Sequence, residues 1–164
     1  MNPAVSLAFA LRGDLPAREA LAYVGAQVCG ALAGVCAAHA MFDLPVMQVS
    51  QHLREGPAQI FSEVVATFGL LLTIFGCVAK SSAAGETTPT ATPVAVGLYI
   101  VAAYWFTAST SFANPAVTLA RAFTDTFAGI APHNVGAFIG AQIAGALAAL
   151  AISPVLWPRE NLSR

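Results

Sequence analysis

The chain has 164 residues; 57% are apolar, 9% are charged, and the net charge is −1. Soluble domains carry about 25% charged residues, and a small one with so few polar groups could not cover its own surface. No block of Lys and Arg suits nucleic acid, so a membrane setting is left.

The first element is short, from Asn2 to about Leu11, and opens NPAV. It has no charged stretch of the kind that begins a secretion signal. Asn is a strong N-cap and Pro fits the first helical position, so a helix should start abruptly at Asn2. Ten residues at a rise of 1.5 Å make about 15 Å, half the apolar thickness of a bilayer.

A first span is expected over about 17–41, in a run free of Asp, Glu, Lys and Arg from Ala20 to Phe42. A polar loop with Asp43, His52, Arg54 and Glu55 follows. A second span is expected over about 58–80 and a third over about 93–110, joined by the turn-rich segment SSAAGETTPTATP. A second half-helix, about 114–123, again opens NPAV at Asn114. A fourth span, about 134–157, lies in the charge-free run from Thr126 to Pro158. Each run approaches or exceeds the roughly 20 residues a spanning helix needs.

The chain repeats itself. GAQVCGALA from Gly25 and GAQIAGALA from Gly140 match at seven of nine positions. Gly25 lies 23 residues after Asn2 and Gly140 lies 26 after Asn114. A half-helix followed by a span therefore occurs twice. A full copy would read span, span, half-helix, span, so the first copy lacks its opening two spans. Three spans per copy invert the second copy relative to the first, which places a shared site near the midplane. With the start of the first span on the cytoplasmic side, Arg12, Arg18, Lys80, Arg159 and Arg164 fall inside and Arg54 and Arg121 outside.

Half-helices entering from opposite faces would meet N-terminus to N-terminus. Non-helical backbone at that depth must be buried or line a wet cavity. Each N-terminus carries about half a positive charge, a field hostile to cations. Each Asn oxygen can cap backbone N–H groups while its NH₂ offers donors to a passing solute. A lone NPA triplet is weak evidence; two NPAV motifs, each followed by GAQ-x-x-GALA, are strong evidence.

On these motifs the chain resembles the aquaporin, or major intrinsic protein, family along its whole length. The resemblance implies an all-α membrane protein, an aquaporin-like inverted-repeat bundle with two NPA half-helices. It lacks the first two transmembrane helices and forms a single incomplete domain over 1–164. It implies passive diffusion of water and small neutral solutes through a bilayer-embedded homotetramer in a cell membrane, a bacterial inner membrane being expected. No cofactor, metal, nucleic acid or reaction is implied. The pore motifs map onto Asn2, Pro3 and Ala4, and onto Asn114, Pro115 and Ala116. Glu63 matches the family's buried glutamate, which accepts hydrogen bonds from re-entrant backbone; an interfacial, water-exposed Glu is the alternative. Gln27 and Gln142 either brace the re-entrant segments or bond across helices.

The chain departs from the family at the constriction. Val117 stands where an Arg usually follows the second NPA. Ser111 matches the filter position three residues before the Asn, and the fifth-helix position falls among Ala102, Ala103 and Tyr104, with Ala103 preferred. An isopropyl group in place of a guanidinium removes a charge and five donors and widens the gate. A glycerol-like or arsenite-like solute is therefore expected. Arg121 could reach back to replace the Arg, though an i,i+4 pair with Asp125 is preferred.

The remaining residues take quieter roles. His39 is expected to be packed, His52 and His133 to lie in loops, and the Gly30–Gly34 and Gly136–Gly140 pairs to allow close packing. Cys29, Cys36 and Cys77 fit no metal or disulfide pattern. No Ser/His/Asp set or paired acids suggests an enzyme. The competing expectation is a truncated, non-conducting protein that associates with full-length subunits. An upstream in-frame extension encoding two spans would favour the channel.

Overall fold

The computed structural model describes residues 2–85 and 91–158. Among these, the helices are α1 (Pro3–Leu11), α2 (Ala17–Met41), α3 (Pro57–Ala83), α4 (Ala91–Phe106), α5 (Pro115–Ala120) and α6 (Pro132–Leu156), with one 3₁₀ turn at Arg121–Phe123. No strand occurs among the described residues. The helices α2, α3 and α6 are each long and apolar enough to cross a membrane; α4 is apolar but shorter. The chain is thus a multi-pass integral membrane protein. Part of the segment between α3 and α4, and the arginines 159 and 164 assigned to the inner side, lie outside the described residues.

Helix starts follow local chemistry. Pro occupies the first turn of α1, α3, α5 and α6, where its missing N–H costs nothing. Asn2 and Asn114 cap α1 and α5 from nearly identical extended backbones, φ −158° in both, with ψ 120° and 109°. Ala4, Ala8, Ala116 and Ala120 are buried. These small residues let each half-helix lie close to its neighbours.

The third span ends earlier than the sequence suggests. The expected end was near Thr110, but α4 stops at Phe106. Thr110, Ser111 and Ala113 take positive φ angles of 61°, 50° and 45°, which no α-helix can accommodate. At the other end of the re-entrant turn, His133, expected in a loop, is the second residue of α6.

The core is the seam between α3 and α6, with α1 tucked against one end of it. Its close approach rests on Gly145 of α6, which faces the Val64 carbonyl of α3 with no room for a Cβ. Tyr99 of α4 fills the groove over Gly69, its hydroxyl donating to the Ala66 carbonyl at 2.9 Å. The Gly30–Gly34 and Gly136–Gly140 pairs do not make the packing expected of them: a Cβ at any of the four would meet nothing within 4 Å. Packing follows which face meets a neighbour, and these glycines lie on open faces.

Arg12 stacks on Phe75 at 4.4 Å, while Glu63 sits twelve residues earlier on the same helix, about 18 Å away along the axis. Arg12 and the Glu63 region therefore lie towards opposite ends of α3. Replacing Gly145 by Ala should force α3 and α6 apart and cost about 1–3 kcal/mol. A thermal unfolding shift in detergent checks this, with Gly140→Ala as the control that should leave stability unchanged.

Candidate functional site: the meeting point of two half-helices

The two half-helices touch at their tips. The Asn2 side-chain oxygen accepts from the Ala4 N–H at 3.0 Å, and its amide donates to the Ala113 carbonyl at 2.6 Å. Ala113 immediately precedes Asn114, so the cap of α1 holds the entry to α5. One hydrogen of the Asn2 amide is thereby committed to protein and the other remains. The Asn114 oxygen accepts from the N–H groups of Ala116 and Val117 at 3.1 and 3.3 Å. Pro3, Ala4 and Ala116 are buried behind the caps, while Asn2, Asn114, Pro115 and Val117 keep some exposure.

The strand leading into α5 is held by one carboxylate. Glu63 is fully buried in α3. Its Oε1 accepts from the Ser109 hydroxyl at 2.6 Å and from the Phe112 N–H at 2.9 Å. Its Oε2 accepts from the Ala113 N–H at 2.8 Å and from Gln142 Nε2 at 2.6 Å. The exposed alternative for Glu63 is ruled out by this burial. A left-handed backbone costs roughly 1–2 kcal/mol per residue, and hydrogen bonds to a charged acceptor contribute about 1.5–3 kcal/mol each. The three bonds that reach this segment are therefore of the size needed to offset the strain at positions 110, 111 and 113.

The glutamines brace rather than bridge spans at random. Gln142 also donates to the Thr118 hydroxyl at 2.7 Å, and Gln27 donates to the Ser6 hydroxyl at 3.0 Å. Ser6 and Thr118 occupy the same position in the two NPAV elements. The two copies thus share one contact, from span glutamine to half-helix hydroxyl. In the second copy the same glutamine also reaches Glu63.

The filter positions fall in different settings. Ser111 is buried and its hydroxyl oxygen has no partner among the described residues. Val117 lines a cavity of about 590 Å³ with Arg121, His39, Thr124 and Phe127 among its walls. Ala103, the preferred fifth-helix residue, is 0% exposed and its carbonyl accepts from the Thr107 hydroxyl. An enclosed side chain cannot line a lumen. Its neighbour Tyr104 is 40% exposed. The helical register decides this, and the sequence left it open.

Arg54 was read only as an outer-loop charge. It is 5% exposed, and Nε, Nη1 and Nη2 donate to the carbonyls of Gly129, Ser109 and Phe127 at 2.7, 3.1 and 2.8 Å. Its guanidinium lies 4.7 Å from the centre of the Phe112 ring. Burial lowers its pKa from the ordinary value, opposed by the nearby Glu63 charge. No spacing in the sequence ties position 54 to three carbonyls more than fifty residues away, so no signal could have found it.

The expected Arg121–Asp125 pair is not formed. Asp125 accepts from the Gln51 N–H at 2.8 Å, and Arg121 lies 4.1 Å above the Phe112 ring. The chain leaves its helix at Arg121, so the i,i+4 geometry is lost. His39 is packed, with Nδ1 bonded to the Val46 carbonyl at 2.9 Å and Nε2 to Thr124 Oγ1 at 2.8 Å.

The family profile described as Major intrinsic protein matches residues 1–145. The chain is 56% identical over 151 residues to "Aquaglyceroporin AqpS" of Rhizobium meliloti (strain 1021), covering 92% of this chain and 62% of that protein. It is 33% identical over 157 residues to "Aquaporin NIP1-3" of Oryza sativa subsp. japonica, covering 90% and 52%. It is 30% identical over 114 residues to "Glycerol uptake facilitator protein" of Bacillus subtilis (strain 168), covering 62% and 40%. The chain spans less than two thirds of the length of these curated relatives. No solved structure matches it at comparable significance.

Glu63→Gln keeps the shape but sets an NH₂ group among donors. It should cost about 3 kcal/mol, the scale for breaking a buried charged network. The expected readouts are a lower unfolding temperature and faster proteolysis within 107–113. An unchanged cleavage rate would show that the re-entrant strand holds itself.

Proposed function

The chain belongs to the major intrinsic protein family, and we propose that it carries the conduction path of a passive channel for small uncharged solutes. The observation that carries this reading is the tip-to-tip contact, Asn2 Nδ2 to the Ala113 carbonyl at 2.6 Å. It brings the positive ends of α1 and α5 together, where they disfavour cations. The Asn2 and Asn114 carboxamides then offer donors to a solute oxygen, and Val5 and Val117 supply apolar wall. Nothing in this arrangement requires a chemical step.

The solute proposed is small and polyhydroxylated, glycerol-like or arsenite-like, passing along with water. Val117 leaves the position after the second NPA short and uncharged. The relatives named as an aquaglyceroporin and a glycerol uptake facilitator point the same way. The assembly proposed is a homotetramer in a bacterial inner membrane, one path per subunit.

A second reading has its own observation. The open face of α2 presents Gly25, Gly30 and Gly34 with nothing within 4 Å of an added Cβ, although the equivalent of Gly30 in the second copy is Gly145, the residue at the α3–α6 seam. This run of bare glycines fits a face against which another membrane helix packs. On this reading the chain acts by associating with full-length channel subunits.

Proteoliposomes separate these readings. Glycerol uptake above that of empty vesicles with this polypeptide alone supports the channel; uptake only after co-assembly with a full-length relative supports the partner role. Val117→Arg should lower glycerol and arsenite uptake by about tenfold or more, the loss typical of crowding a snug site. Equal arsenite uptake by parent and variant overturns the solute reading. Gly30→Leu should abolish assembly if a helix packs on α2, and leave the protein unchanged if α2 faces lipid.

A further inference from the structure

The geometry points to Arg121 as the residue that sets the charge selectivity of the path beside Val117, a role assigned on position in this fold and resting on the channel reading above. Arg121 follows Val117 by four residues, one helical turn, so both lie on one face of the half-helix. Both line the same cavity of about 590 Å³. Side chains in a helix lean towards its N-terminus, which carries a long side chain at 121 back over the turn that holds Val117. The guanidinium accordingly stacks on Phe112, the residue after Ser111, at 4.1 Å from the ring centre. Width and charge are therefore supplied by different residues: Val117 leaves room, and Arg121 brings a cation to the same turn.

The donors of that cation are uncommitted. Among the described residues no carbonyl, hydroxyl or carboxylate accepts a hydrogen bond from the Arg121 side chain. Asp125, the nearest acid in sequence, holds the Gln51 N–H instead. Arg54, the other cation on the Phe112 ring, has three nitrogens fixed on carbonyls of the surrounding loops. Of the two arginines on this ring, Arg121 is therefore the one whose side chain has no fixed hydrogen-bond acceptor among the described residues while it lines the cavity. A guanidinium so placed rejects cations by charge. It also presents a planar fork of N–H groups to the paired oxygens of a polyhydroxylated solute, which an ammonium cannot match.

The test uses the assembled protein, purified from membranes and reconstituted, with Arg121→Met and Arg121→Lys beside the parent. Glycerol flux, water flux and sodium conductance are measured on each. For Arg121→Met the expected result is a rise in sodium conductance of about tenfold, the effect of roughly 1.4 kcal/mol of lost charge repulsion, together with a lower glycerol-to-water ratio. Arg121→Lys should exclude sodium like the parent but keep the lowered glycerol ratio. The inference is overturned if Arg121→Met conducts no more sodium than the parent and keeps its glycerol ratio. Should Arg121→Met fail to assemble, Arg121→Lys decides: a parental glycerol ratio overturns the assignment. A parent that passes no solute above protein-free vesicles removes the channel reading and this inference with it, whereas a conducting parent with unaltered variants removes this inference alone.

Discussion

The buried carboxylate of Glu63 is the constraint on which the rest of the site depends. Three of four consecutive residues in the strand before Asn114 hold left-handed backbones without being glycine. Such a strand would not keep its shape unaided, because each of these residues strains against its own Cβ. Two backbone N–H groups and one hydroxyl from that strand converge on Glu63, and Gln142 completes the set. The same glutamine reaches the Thr118 hydroxyl, so the carboxylate is tied to the strand, to α5 and to α6 at once. The position of Asn114, and through the Ala113 carbonyl that of Asn2, follows from this one group.

The internal repeat is realised as shared chemistry at unequal depth of packing. Both copies start a half-helix on an extended Asn, bury alanines at its second and sixth positions, and brace a hydroxyl from a span glutamine. In the second copy the span is also pressed against α3 through Gly145, and its glutamine reaches a carboxylate. In the first copy the corresponding glycine, Gly30, has nothing within 4 Å of an added Cβ, while the Oε1 atoms of Gln27 and Gln142 both lack a hydrogen-bond partner among the described residues.

Around Phe112 the protein concentrates positive charge in a region of low dielectric. Arg54 uses its guanidinium as a clamp on three loop carbonyls, two of them buried. Arg121 has no such duty. The difference comes from the loops: 107–113 and 124–131 both fold back towards position 54, and their carbonyls point at one guanidinium rather than two.

The helical starts and the membrane character were legible from the sequence, because both are local. An Asn-Pro-Ala-Val segment caps and begins a helix whatever surrounds it, and a long run without charge has few alternatives to crossing a bilayer. The repeat also showed in the sequence, since the two GAQ segments carry the same small residues. What only the tertiary structure decided is non-local. Helix α4 ends at Phe106 because a carboxylate over forty residues earlier captures the strand beyond it. Tyr104 rather than Ala103 has exposed surface because register depends on which face meets α3. Gly145 packs and Gly30 does not, though both sit in the same motif, because a glycine matters only where a neighbour arrives. Arg54 and Arg121 share one aromatic ring because loops distant in sequence converge there, and no spacing along the chain encodes that meeting.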